Sequence, residues 1–301
     1  MGATTPASTI RSMTAITLDG NAAAAAVKDE LVGRIAVLAA AGVTPGLGTI
    51  LVGDDGPSQR YVASKHADAA ELGLHTREIG LPATTSFDEV VVAIEVMNQD
   101  PEIHAFIVQY PFPSGLDYEA AILHVDPAKD ADGLHPVNLG WLVMGRPAPL
   151  ACTPAGILRL LAHHDVSVSG KHVVVVGRGF TIGRPLANLL ALKRPDANAA
   201  VTVVHTGVAD LGAYTRTADV VVAAVGVPAL ITADMVKPGA AVVAAGVSFD
   251  GRKVLSDVAD EVAEVAGWLS PRIGGVGPMT RALLMSNTVA AAEAAHSKGW
   301  A

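Results

Sequence analysis

Short apolar, β-branched runs alternate with longer Ala/Leu-rich segments of helical period along almost the whole chain. That alternation predicts an α/β fold of parallel strands joined by crossover helices. The first part reads as helix over 21–41, strand over 47–52 (LGTILV), helix over 57–72, a short strand near 75–79, helix over 86–99 and strand over 105–109 (AFIVQ). The segment that follows, YPFPSGLDYEAAILHVDPAKDADGLHPVNLG, is too rich in Pro, Asp and Gly to be one element, and loops of that kind usually hold function or a boundary. From Cys152 the pattern restarts: helix over 154–164, strand over 172–177 (HVVVVG), a glycine turn, helix over 183–192 and strand over 201–205 (VTVVH). Strands near 219–225 and 240–245, a helix near 257–265, a glycine-rich loop over 274–280 (GGVGPMT) and a last helix of about 17 residues complete the reading. At roughly 150 residues per domain, 301 residues suggest two domains. We place them at 13–150 and 151–279, with the last helix, 280–298, packing back on the first. Residues 1–12 are polar and patternless and read as a disordered extension, with Met13 as a functional start.

Composition narrows the function. Half the residues are hydrophobic, yet uncharged stretches such as 220–233 are broken by Gly and Pro, so no transmembrane helix is read. The N-terminus lacks the apolar core of a signal peptide, and a cytoplasmic protein is expected. The single cysteine, Cys152, excludes an internal disulfide, and the ten histidines show no zinc-site spacing, so no metal is expected. A formal charge of −8 without a Lys/Arg stripe argues against nucleic acid as a partner.

HVVVVG followed by RGFTIG and a helical pattern is a strand, a glycine turn and a helix start, a geometry that suits a pyrophosphate. Gly177, Gly179 and Gly183 read GxGxxxG, one residue longer than the usual dinucleotide fingerprint, and a plain tight turn would use the same glycines. The next strand ends at His205 and Thr206, where an NAD-selective site usually places an acid for the ribose 2′-hydroxyl. With no acid there, and with Arg178 just after the first glycine, the residues lean toward NADP; a solvated surface arginine is the alternative. In the first half, Gly56 and Pro57 suit an N-cap and first helical position, which puts Tyr61 and Lys65 on one helix face at the end of strand 47–52. Gln109 closes the next strand and points into the same crevice. Asp130 and Asp132 follow, and KDADG by itself is also what a type I turn with a capping Asp looks like.

Taken in order, YVASK, QYPFP, PAKDADG, ACTP, VVGRGFTIGRP and GGVGPMT closely resemble the bifunctional methylenetetrahydrofolate dehydrogenase/methenyltetrahydrofolate cyclohydrolase family over residues 14–297. The resemblance implies an N-terminal α/β catalytic, folate-binding domain and a C-terminal Rossmann-like NAD(P)-binding domain, with the site in the cleft between them. It implies tetrahydrofolate derivatives as substrates, NADP as cofactor and a homodimer. By position it makes Lys65 the YxxxK lysine and proton carrier, Tyr61 its tyrosine, Gln109 the QxPxP glutamine, and Asp132 the aspartate that selects the pterin. It sets Gly177, Arg178, Gly179, Thr206 and Val247 against the dinucleotide. Five positions depart from the family pattern: GRS is GRG at Gly179, the usual HS is His205-Thr206, the basic residue that often follows is Gly207, the Asp of VIDVG is Ala244, and the proline before the late glycine pair is Ile273. The rival readings are a shikimate- or amino-acid-type dehydrogenase and a non-catalytic nucleotide sensor. Asp132 and QYPFP speak against the first, and the intact Lys65, Tyr61 and Gln109 against the second.

Overall fold

A computed structural model describes residues 14–251, 253–297 and 299–300; the extension expected over 1–12, and Met13, lie outside the described residues. The first unit is built on three parallel strands in the order β3 (His75–Leu81), β2 (Gly46–Val52), β4 (Ala105–Val108). All of β2 and β4 is buried, as their largely apolar sequences require of strands covered on both faces; the one hydroxyl, Thr49, is paired with His66. Helices α1 (Gly20–Ala40), α2 (Gly56–Glu71) and α3 (Phe87–Gln99) flank it. Side chains satisfy their first N–H groups: Asp19 accepts from Asn21 and Ala22, Asp55 from Ser58, and Ser86 pairs reciprocally with Glu89. The α2 cap is thus Asp55 rather than Gly56, because a carboxylate supplies the acceptor that glycine lacks.

The irregular segment after β4 contains two short helices, α4 (Tyr118–Ile122) and α5 (Pro136–Val143). After α6 (Cys152–His163) comes a six-stranded parallel sheet ordered β6 (Ala200–Val204), β5 (His172–Val176), β7 (Val220–Ala223), β8 (Ala241–Ala244), β11 (Trp268–Leu269), β1 (Ile16–Thr17). Helices α7 (Gly183–Ala191) and α8 (Gly212–Thr215) belong to it. The N-terminal strand thus joins the second sheet. Strand order reverses between β5 and β7, which is where doubly wound sheets open a crevice for ligands.

Several elements depart from expectation: strands β1 and β11 and the short helix α8 carry no pattern that predicts them. In place of a helix near 257–265 there is a 3₁₀ turn, Asp260–Glu264. The preceding residues form an antiparallel hairpin, β9 (Val247–Asp250) and β10 (Lys253–Ser256), which the mixed polar pattern of VSFDGRKVLS had not marked. The last helix, α9 (Val276–Ser297), starts inside GGVGPMT rather than after it. It spans both cores: Val276, Met279 and Ala282 pack with Leu158, Leu186 and Val243, while Leu284, Met285 and Val289 pack with Leu31, Leu47 and Leu74. One continuous helix therefore ties the two units together. Among the described residues no helix is long and apolar enough to cross a membrane.

Candidate active site

Helix α2 follows β2 after a short turn, so its first half stands at the carboxyl ends of the small sheet. Tyr61 and Lys65, one turn apart, share a face, and the Lys65 ammonium lies 4.5 Å from the centre of the Tyr61 ring. Gln109 follows β4 directly, its N–H held by the Ile50 carbonyl at 2.8 Å. Its side-chain oxygen accepts from Lys65 Nζ at 3.0 Å, and its amide donates to the Tyr110 carbonyl. Lys65 is 3% exposed. Burial holds its amine below the usual lysine range, against the opposing charge of Asp132. Burial pushes the half-buried Tyr61 phenol upward, so it stays a neutral donor.

KDADG divides its labour. Residues 130 and 131 run beside β4, with Ala131 N–H on the Phe106 carbonyl. The buried Asp130 carboxylate accepts from Gly133 N–H (3.0 Å), His135 N–H (2.7 Å) and Asn138 Nδ2 (2.9 Å). Burial raises it to about 6 despite those donors. Asp130 is therefore the turn residue. Asp132 is half-buried and its carboxylate takes no hydrogen bond from a described residue. Its charge nevertheless acts on Lys65, Tyr61 and Tyr118. Tyr61, Lys65, Gln109 and Asp132 thus come together, with Asp132 presenting acceptors that no described residue uses.

Across the cleft, Gly177 follows β5 at φ 127°, and a Cβ there would lie 2.2 Å from the Ala224 carbonyl oxygen. A Cβ on Gly183 would lie 2.2 Å from the Gly177 carbonyl oxygen. The turn is therefore backbone against backbone, and it delivers the start of α7, which no described side chain caps. Its N-terminal N–H groups suit an anion. Gly179 faces open space. Arg178 is exposed and forms no ion pair among the described residues. Thr206 is exposed past the end of β6 with no acid beside it, and Gly207 N–H donates to His205 Nδ1 at 3.1 Å. Val247, 47% exposed, opens β9 beyond the end of β8. This donor set fits a dinucleotide, and nothing in it repels a 2′-phosphate. The other departures are outside the turn: Ala244 N–H donates to Ser270 Oγ at 2.8 Å, and Ile273 is exposed.

Three site-shaping residues escape a reading of the sequence. Thr280 lies in the first turns of α9, where its hydroxyl meets Tyr61 and lies 3.0 Å from Thr153 Oγ1; taking GGVGPMT as a loop hid its orientation. Asp257 accepts from Val225 N–H (2.7 Å) and Gly226 N–H (3.0 Å), bracing the turn after β7, but its partners are too far upstream for a local pattern to mark it. Phe180, inside the glycine turn, packs on the first unit.

Two family models match the chain: the catalytic domain of tetrahydrofolate dehydrogenase/cyclohydrolase over residues 18–132, and its NAD(P)-binding domain over residues 151–296. The chain is 53% identical over 281 residues to the bifunctional protein FolD of Syntrophotalea carbinolica, covering 93% of this chain and 97% of that protein. It is similar to the solved FolD methylenetetrahydrofolate dehydrogenase/cyclohydrolase of Campylobacter jejuni, with 36% identity, a TM-score of 0.87, and 92% and 98% of the two chains covered. It is equally close to the Trypanosoma brucei dehydrogenase-cyclohydrolase solved with NADP and an inhibitor, at 36% identity and TM-score 0.87 over 94% and 98% of the chains.

Proposed function

The chain belongs to the tetrahydrofolate dehydrogenase/cyclohydrolase family, and from that premise we propose how its own residues carry out the two reactions. It is a bifunctional, NADP-dependent enzyme that oxidises 5,10-methylenetetrahydrofolate to 5,10-methenyltetrahydrofolate and hydrolyses that product to 10-formyltetrahydrofolate. Bound NADP supplies the nicotinamide that accepts a hydride from the one-carbon bridge. Gly177, Arg178 and Gly179 and the start of α7 would hold its phosphates, with Thr206 and Val247 against the dinucleotide.

The observation that carries the assignment of the folate site is the buried Lys65–Gln109 pair beneath Tyr61. Hydrolysis of the methenyl cation needs a water to lose a proton as it attacks. Lys65, held below the usual lysine range by burial, is the group placed to take that proton. Gln109 fixes the amine's position through its side-chain oxygen. Tyr61 gives the folate ring a face to stack on and keeps water from the far side of the amine. Asp132 accepts the pterin N–H and amino hydrogens in parallel, which selects a pterin. Purified protein supplied with methylenetetrahydrofolate and NADP tests the reading: NADPH and methenyltetrahydrofolate should form, and the latter then decay faster than in buffer. No absorbance change with either NADP or NAD would overturn it. A shikimate- or amino-acid-type dehydrogenase and a non-catalytic sensor are not favoured, since family models cover both halves of the chain.

The reading extends to a homodimer. Among the described residues, strand β6 is an unpaired edge of the large sheet with Val203 exposed, and the β9–β10 hairpin bonds to neither sheet. Both are surfaces that a second copy can cover; light scattering at working concentration decides between one chain and two. A cytoplasmic place, where the free NADP and folate pools are drawn on, belongs to the same reading and is tested by cell fractionation.

A further inference from the structure

The glycine turn of the cofactor half does more than approach a dinucleotide. Its Phe180 side chain leaves the second unit and packs, half-buried, on the core of the first. Its ring centre lies 6.2 Å from that of Tyr118 at 46°. Tyr118 is itself clasped by Tyr110 (5.1 Å, 70°) and Phe112 (5.2 Å, 90°), both from the QYPFP segment. These separations lie in the range of favourable aromatic pairs. The Tyr110 carbonyl in turn accepts the Gln109 amide, whose oxygen holds Lys65. Packed rings and two hydrogen bonds therefore run without a gap from the cofactor turn to the buried lysine. Tyr118 also lies within reach of the Asp132 charge.

We propose that Phe180 is a positioning residue for the folate site: the cofactor turn reaches across the cleft and, through Tyr118 and the Tyr110–Phe112 wall, sets the placement of Gln109 and Lys65. This rests on the folate site described above. It has a consequence that a purely cofactor-binding turn does not: a substitution in the dinucleotide motif impairs the reaction that uses no dinucleotide. A contiguous path is a physical basis for coupling only if its members are shown to act together, which a double-mutant cycle measures.

The test uses the cyclohydrolase reaction on 5,10-methenyltetrahydrofolate with no dinucleotide present, comparing wild type, Phe180→Leu, Phe180→Ala, Tyr118→Leu and the Phe180→Ala/Tyr118→Leu double variant. Phe180→Ala should lower kcat/KM by about 3- to 10-fold, the size of one aromatic pair. Phe180→Leu, which keeps apolar bulk without the ring, should fall between it and wild type. The double variant should lose less than the product of the two single losses. Thermal unfolding identifies any variant that fails to fold, and Phe180→Leu then carries the comparison. A dinucleotide-free rate within twofold of wild type in a folded variant, with any loss confined to the KM for NADP, overturns the proposal; so do fully multiplicative losses in the cycle. A wild-type protein inactive in both reactions would instead overturn the functional reading, so the two failures are distinguishable.

Discussion

Lys65→Met is the most searching perturbation of the folate site. Methionine keeps the unbranched apolar bulk that fills the space under Tyr61 and removes only the amine. The lost hydrogen bond leaves the Gln109 oxygen without its 3.0 Å partner in a site where Lys65 is 3% exposed. An orphaned buried acceptor costs about 1–3 kcal/mol. The variant also escapes the desolvation of an ammonium, which offsets part of that loss, so it should fold. The chemistry is affected far more. Removing a positioned general base costs ~10²- to 10⁴-fold, equivalent to about 3–5 kcal/mol of transition-state stabilisation. Hydride transfer needs no base, so dehydrogenase activity should fall much less, and titrated folate affinity should stay within a few-fold. Cyclohydrolase is followed as loss of methenyltetrahydrofolate above the buffer rate, dehydrogenase as its formation with NADP. The pH dependence of stability gives a second check. Lys65 is lowered by burial from 10.5. Between its folded value and 10.5 the unfolded chain binds more protons, so wild type gains stability as pH rises through that window. Lys65→Met lacks this term, and the wild-type advantage in denaturant melts should grow with pH there. Equal, small losses in both activities, or a stability difference that shrinks as pH rises, would refute the buried-amine argument.

Asp132→Ala should raise the folate dissociation constant about tenfold or more, two hydrogen bonds to a charged acceptor being at stake, while NADP affinity measured by fluorescence titration stays unchanged. Arg178→Ala should reduce kcat/KM with NADP by about 10-fold or more and leave NAD use nearly as it was, since an exposed arginine–phosphate contact is partly screened; equal losses with both cofactors would remove Arg178 from the 2′-phosphate site. Asp130 is raised by burial to about 6 from 3.8, so the stability tied to its neutral form is fully present below about pH 4 and is lost as pH rises through 6. Asp130→Asn should flatten that part of the pH–stability curve in urea melts; an unchanged curve would assign the slope to other groups.

Much of this protein was legible from local pattern. Apolar runs such as VVVV at 173–176 and helices α1 to α3 form where the period predicts them, because burial patterns act over a few residues, although the cap of α2 is Asp55 and not the expected Gly56. Tyr61 and Lys65 share a face by helical geometry alone, and the end-of-strand rule brings Gln109 to them. Local pattern failed where competing structures have similar local merit. The VSFDGRKVLS hairpin has no clean alternation, and GGVGPMT carries two glycines ahead of a helix start that packing against two cores secures.

KDADG by itself left both aspartates open, the family resemblance named Asp132, and the contacts of the folded loop distinguish the two. Gly133, His135 and Asn138 converge on Asp130 and consume its acceptors, while no described residue donates to the Asp132 carboxylate. The lowered lysine, the Asp257 brace and the reach of Phe180 into the opposite core are likewise products of long-range contact. Periodicity and caps depend on neighbours within a turn or two, so the chain's own order encodes them. Desolvation, unpaired acceptors and ring-to-ring packing depend on which residues the folded chain brings to one place, which no local pattern specifies.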